Sequence, residues 1–267
     1  MHCRCGHFLG FPNQRAAAAE RDELEKLYNA SRLDAEARKV ARLLGKLEEL
    51  AERCLPVIAM SFEACDDLLR SGKYRNYHQR VDSGERDPAT AQNHSDREMV
   101  GARLFPMYHQ HIHYAALSPD GRGLESYGPV AVCWSVTAAY LGRRISVLDE
   151  NSFIHYDRFG LGRRGATVPL GHRAVWDDRA KLVAVKLAEH LTPATKEANL
   201  PRMLLQAGKT RMDDIFFEIA IYADTGVDTL DVSKVTVQFA TKTDSERNRL
   251  ELVREMCATR GDIDLIE

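Results

Sequence analysis

Near its carboxyl end the chain reads Asp213-Asp214-Ile215-Phe216-Phe217-Glu218-Ile219-Ala220-Ile221-Tyr222. The run is rich enough in β-branched and aromatic residues to form a buried strand. One carboxylate, Glu218, stands inside it. Taking such a charge out of water costs on the order of several kcal/mol unless it is paired or hydrogen-bonded. Glu218 therefore either lines a sheltered pocket, with Phe217, Ile219 and Ile221 as a dry wall, or sits on an edge strand, faces solvent and pairs with a Lys or Arg.

Around that strand the pattern is a sequence of short elements. Residues 234–239 make a further strand, and a closing helix runs over 246–256. Upstream, a helix over 177–191 places Ala180, Val183, Ala184, Leu187 and Leu191 on one face. Residues 158–173 form a loop rich in Gly and Arg, and residues 107–118, 128–137 and 144–148 are strand-like. Residues 73–96 are polar and turn-rich, which predicts a long surface loop. Residues 55–62 read as a strand, followed by a helix over 63–70 that Gly72 stops as a C-cap. Residues 14–53 are helical, with Leu33, Ala37, Val40, Leu44 and Leu47 recurring at helical spacing. Helices come first, and short strands follow with few helices between them. This predicts an α+β fold, not a parallel βαβ array. The expected division is a helical extension over 1–54 and a sheet-based domain over 55–267.

The 267 residues are 44% hydrophobic and 28% charged, an ordinary globular composition. The formal net charge of -2 excludes a global basic footprint for nucleic acid. No stretch approaches the roughly 18 consecutive apolar residues of a membrane span. The amino terminus lacks the apolar core of a secretory signal. Six scattered cysteines suggest reduced, buried thiols and a cytosolic setting.

Several motifs carry little weight alone. Gly160-Leu161-Gly162-Arg163-Arg164-Gly165 matches a dinucleotide fingerprint, with residues 153–156 reading as a strand before it, but Pro169 stands where its helix should open. It reads as a coincidence in a basic loop, with Arg163 and Arg164 open to a phosphate. His109, His111 and His113 would share one face of a strand and so could ligate zinc or iron. The alternative is a polar strand edge beside a cleft. Cys3, Cys5 and His7 lack a second ligand pair of standard spacing. Arg260-Gly261-Asp262 is a chance tripeptide.

An ordered series is more informative. It runs from Ile58-Ala59-Met60-Ser61-Phe62 and Tyr74-Arg75-Asn76 to Arg97-Glu98. It continues with His113-Tyr114-Ala115-Ala116-Leu117-Ser118, Tyr127-Gly128-Pro129-Val130 and Arg144-Ile145-Ser146-Val147-Leu148. Glu150-Asn151-Ser152-Phe153 follows, and the series ends on Phe217-Glu218-Ile219-Ala220-Ile221. In this order it resembles the ADP-ribosyltransferase fold of bacterial toxins and effectors, over roughly residues 57 to 240.

The resemblance implies a split β-sheet core behind the N-terminal helical extension. It implies NAD as substrate, split at the nicotinamide–ribose bond, with ADP-ribose passed to a protein or nucleic-acid acceptor and no metal required. Glu218 would be the catalytic residue. Tyr114 and Tyr127 are the candidates to stack on nicotinamide. Ser152 is the candidate supporting serine, with Ser146 as the alternative. The first motif normally supplies Arg or His; here Met60-Ser61 leaves only Ser61, and Arg97 would compensate by holding a phosphate. Phe216 stands where members that modify protein side chains often carry an acid or amide, so the acceptor stays open. A bacterial cytoplasmic or delivered toxin is implied, with the N-terminal helices docking an acceptor or a neutralising antitoxin or immunity protein. A binding module that has lost turnover is the alternative that the missing Arg or His suggests, and a histidine-ligated metalloenzyme is another.

The chemistry suits these residues independently. Breaking an N-glycosidic bond builds positive charge on the ribose. A carboxylate stabilises that charge most where water is excluded.

Overall fold

A computed structural model describes residues 10–88, 90–136, 141–209, 213–228, 232–238, 241 and 243–266. The Cys3, Cys5 and His7 cluster lies outside them.

Among the described residues three helices come first: α1 (Pro12–Ala18), α2 (Arg21–Ala37) and α3 (Ala41–Arg53). Strand β1 (Leu55–Met60) leads into α4 (Phe62–Ser71), β2 (Lys73–Tyr74), α5 (Tyr77–Asp82) and α6 (Ala91–Leu104). Next come β3 (Ile112–Ser118), β4 (Val130–Trp134), β5 (Ile145–Leu148), α7 (Ser152–Arg158), β6 (Arg173–Val175) and α8 (Arg179–Leu187). The rest is α9 (Leu200–Leu204), β7 (Leu205–Gln206), β8 (Ile215–Phe216), β9 (Glu218–Tyr222), β10 (Val227–Asp228), β11 (Val232–Val237), α10 (Asp244–Arg260) and β12 (Asp264–Ile266). The fold is mixed α+β. Its main sheet has eight strands in the order β12-β11-β4-β1-β3-β9-β5-β6. Among the described residues, only the β11–β12 pair of this sheet is parallel.

One feature of the register shapes the site. β1 pairs with β3 only through Leu55, Pro56 and Val57, then continues along β4 as far as Met60. β3 instead follows β9 from Ile112 to Ala116. The hydrogen-bonded ladder is therefore joined at one end of the β1–β3 seam and open at the other.

Strand periodicity divides the side chains between two layers. Ile219 and Ile221 point into the larger core, together with Ile58, Leu117, Trp134 and Val147. Leu24, Leu43, Leu44 and Leu47 of α2 and α3 belong to that same core. Val40, Leu44 and Leu47 of the expected stripe are thus buried against the sheet-bearing part of the chain, whereas Leu33 and Ala37 are exposed, because the helix breaks between Ala37 and Ala41, with Lys39 in the left-handed region. Asn13 pins α1 to the sheet by donating to Arg144 O at 2.8 Å and Ala220 O at 2.9 Å. A smaller core on the opposite face joins Val100 and Leu104 of α6, Tyr156 of α7, Ile112, Leu148 and Ala220.

Some sequence expectations change. Residues 73–96 are not one loop, because they include β2, α5 and the start of α6. Asn76 accepts from Gln79 N and the Gln79 side chain returns to Asn76 N, a reciprocal cap that starts α5. Residues 153–156, read as a strand before the glycine motif, form helix α7, begun by Asn151 accepting from Phe153 N. The glycine motif thus follows a helix, not a strand. Strand β3 begins at Ile112; His109–His111 is a 3-10 turn. The strand expected over 215–222 is interrupted at Phe217.

Candidate active site

Glu218 begins β9, flanked by Ala116 of β3 and Leu148 of β5 in register. Its side chain is 6% exposed, so it does not face bulk solvent from an edge strand. Because strand side chains alternate, its own apolar neighbours Phe217, Ile219 and Ile221 point into the opposite core. The dry wall comes from Tyr114, Ala116, Leu124 and Phe216 instead.

Two adjoining cavities meet at this carboxylate. The larger, about 310 Å3, is lined by Glu218, Ser152, Asn151, Arg97, Asn76 and His78, among others. The smaller, about 70 Å3, fills the open end of the β1–β3 seam between residues 57–59 and 114–116. Tyr114, Tyr127 and Glu218 border both. Tyr127 meets Phe216 edge-on, with ring centroids 6.4 Å apart. The turn is tight behind it. A Cβ on Gly128, whose φ is +155°, would fall 2.3 Å from the Met60 carbonyl.

The local electrostatics are unusual for a glutamate. Burial pushes the Glu218 carboxyl up to about 7, against hydrogen bonds from the Ser152 backbone N–H and hydroxyl and the charge of Arg97. Ser152 N–H donates to Glu218 Oε2. Burial, then the nearby Glu218 charge, pushes the Tyr114 phenol well above its usual range. Arg97 stacks over Tyr77 with its guanidinium carbon 5.3 Å from the ring centre. Tyr77 in turn shares a 3.0 Å hydrogen bond with His94 Nδ1.

Of the sequence candidates, Glu218, Arg97, Tyr114, Tyr127 and Ser152 therefore line one space. Ser146 does not. It is buried on β5 opposite Ala220 and receives Asn13 Nδ2 at 3.4 Å. Ser61 caps α4, its hydroxyl accepting from Ala64 N at 3.1 Å. Sequence reasoning missed Asn76, His78 and Asn151 as lining residues; the two asparagines carry the helix-capping signal that would have found them.

The three alternating histidines go to three different partners. His109 Nε2 donates to Glu98 at 2.8 Å, His113 Nε2 donates to Gln79 Oε1 at 3.0 Å, and His111 Nδ1 lies 3.9 Å from Asp224. They do not share a strand face, because only His113 lies within β3. Among the described residues, the group with metal-like spacing is Asp149, Glu150 and His155. Arg158 and Lys186 already pair with its two carboxylates, which leaves little negative charge for a cation.

No family model matches the chain, and no curated protein matches it. Among the described residues, no helix is long and apolar enough to cross a membrane.

Proposed function

We propose that the protein is an ADP-ribosyltransferase, which splits NAD at the nicotinamide–ribose bond and transfers ADP-ribose to a macromolecular acceptor. The observation that carries this reading is the shared cavity. A buried glutamate, two tyrosines and an arginine, all candidates that the resemblance offers, line it together.

In this reading the apolar recess between β1 and β3 takes the nicotinamide ring, bordered by Tyr114 and Tyr127. The polar lobe takes the ribose and phosphates, with Arg97 on a phosphate. Glu218 sits by the ribose, accepts a hydrogen bond from its 2′-hydroxyl and stabilises the positive charge that grows at C1′. Nicotinamide leaves with the bonding electron pair. The acceptor nucleophile attacks C1′, and its proton passes to Glu218 or to water. A carboxyl poised near 7 is suited to that transfer. The pyridinium of bound NAD favours the ionised form of Glu218 before the bond breaks. Phe216 places no acid or amide beside Glu218, so a nucleic-acid base fits as well as a protein side chain. A toxin or effector role in the cytoplasm follows from the resemblance.

The test is incubation with NAD labelled in the ADP-ribose part, with separate protein, RNA and DNA pools. Wild-type chain labels one pool and Glu218→Gln does not. Equal labelling by both proteins removes the assignment. A second reading is a module that binds NAD without turnover. It is favoured by Met60-Ser61, where Ser61 serves as a helix cap. NAD binding in calorimetry with no label transfer to any pool selects it.

A further inference from the structure

Asp149 directly follows β5 and is 3% exposed. Four hydrogen bonds converge on its carboxylate. His155 Nδ1 donates at 3.0 Å, His172 Nδ1 at 2.9 Å, and Arg158 Nη2 reaches the two oxygens at 2.8 and 2.7 Å. Burial alone would raise this carboxyl; His155, His172 and Arg158 hold it well below the usual carboxylate range. The neighbouring Glu150 pairs with Arg158 at 2.7 Å and with Lys186 of α8 at 2.9 Å.

His155 and Arg158 both belong to α7, a helix of seven residues. So short a helix is not held by its own backbone bonds and takes its position from tertiary contacts. Its first residue, Ser152, is the one whose N–H donates to Glu218. One buried anion therefore grips the later part of α7, while the amino end of the same helix meets the catalytic candidate.

We propose that Asp149 is a positioning residue for the active site: by holding His155 and Arg158 it fixes the amino end of α7 against Glu218. The inference takes its meaning from the reading of Glu218 given above. Its test needs no turnover.

A hydrogen bond to the ionised carboxylate favours that form, so loosening it raises the pH at which Glu218 ionises. The groups that act on Glu218 are Ser152 from α7, Arg97 from α6 and Tyr114 from β3. Of these, only Ser152 is carried by the element that Asp149 holds. Asp149→Asn keeps the shape and removes the charge that gathers His155, His172 and Arg158.

The experiment follows unfolding stability against pH with and without Glu218→Gln, in the wild-type and Asp149→Asn backgrounds. The difference between each pair of curves reports the ionisation midpoint of Glu218. Asp149→Asn is expected to move that midpoint upward by about one pH unit. A role confined to general stability lowers both members of a pair equally and leaves the midpoint in place. That result, or a downward movement, overturns the inference. Should Asp149→Asn fail to fold, Arg158→Gln, at a partly exposed side chain of α7, removes two of the four bonds. It must then move the midpoint upward by less, and an unmoved midpoint overturns the inference equally. If the wild-type chain cleaves no NAD, the proposed function falls while this comparison stays readable.

Discussion

Glu218 is held in a folded environment that favours its protonated form, and this has a measurable sign. Its folded ionisation point, about 7, lies above the ordinary glutamate value of 4.5. Between those values the native state binds more protons than the unfolded state, so stability falls as pH rises through the window. At about 1.36 kcal/mol per pH unit the whole loss is about 3 kcal/mol. Glu218→Gln cannot ionise and escapes it. The variant is expected to gain on the wild type progressively from pH 4.5 to 7 in urea unfolding, by about 3 kcal/mol in all. A stability difference that is flat with pH would contradict the environment described for this carboxylate.

At the scale of elements, α7 is where local sequence and site meet. Asn151 caps it, Ser152 reaches Glu218, and both line the larger cavity. Asn151→Ala should cost about 1 kcal/mol of stability as a lost cap and lower NAD cleavage several-fold. Asn151→Asp should recover the stability. If cleavage stays at the wild-type level in a destabilised Asn151→Ala protein, α7 does not position the site. The same helix shows how far sequence reading reached. The glutamate strand and the α4 helix with its Gly72 stop were legible, because apolar runs and a left-handed glycine are local signals. Residues 153–156 misled, since Phe, Ile and Tyr favour a strand while the cap at Asn151 decides for a helix. α5 was missed because it buries no residue of its own and so shows no apolar stripe. The dry wall of Glu218 was assigned to its sequence neighbours. Its real wall is contributed by β3, residue 124 and Phe216, a pairing that only the register reveals.

At the scale of the whole molecule, the site depends on a sheet that opens between β1 and β3 while the large core holds its other face together. The N-terminal helices belong to that core. Leu47 of α3 is fully buried among the residues that surround Ile58 and Ile219. Leu47→Ala is expected to cost roughly 2–5 kcal/mol in a single cooperative unfolding transition. A separate early transition for the helical part would show that it folds apart from the sheet. Glu20, buried beside Arg173 at 3.3 Å and accepting from Gly171 N at 3.0 Å, ties the start of α2 to the sheet edge in the same way.

The claim that a sheltered glutamate drives cleavage of NAD is tested most directly by nicotinamide release from purified protein, measured against pH. The wild-type chain is expected to release nicotinamide with an acid limb near or below pH 7. Folded Glu218→Gln is expected to lose about a hundredfold or more of that release, the scale seen when a charge-stabilising group is removed. Equal release by the two folded proteins would contradict it.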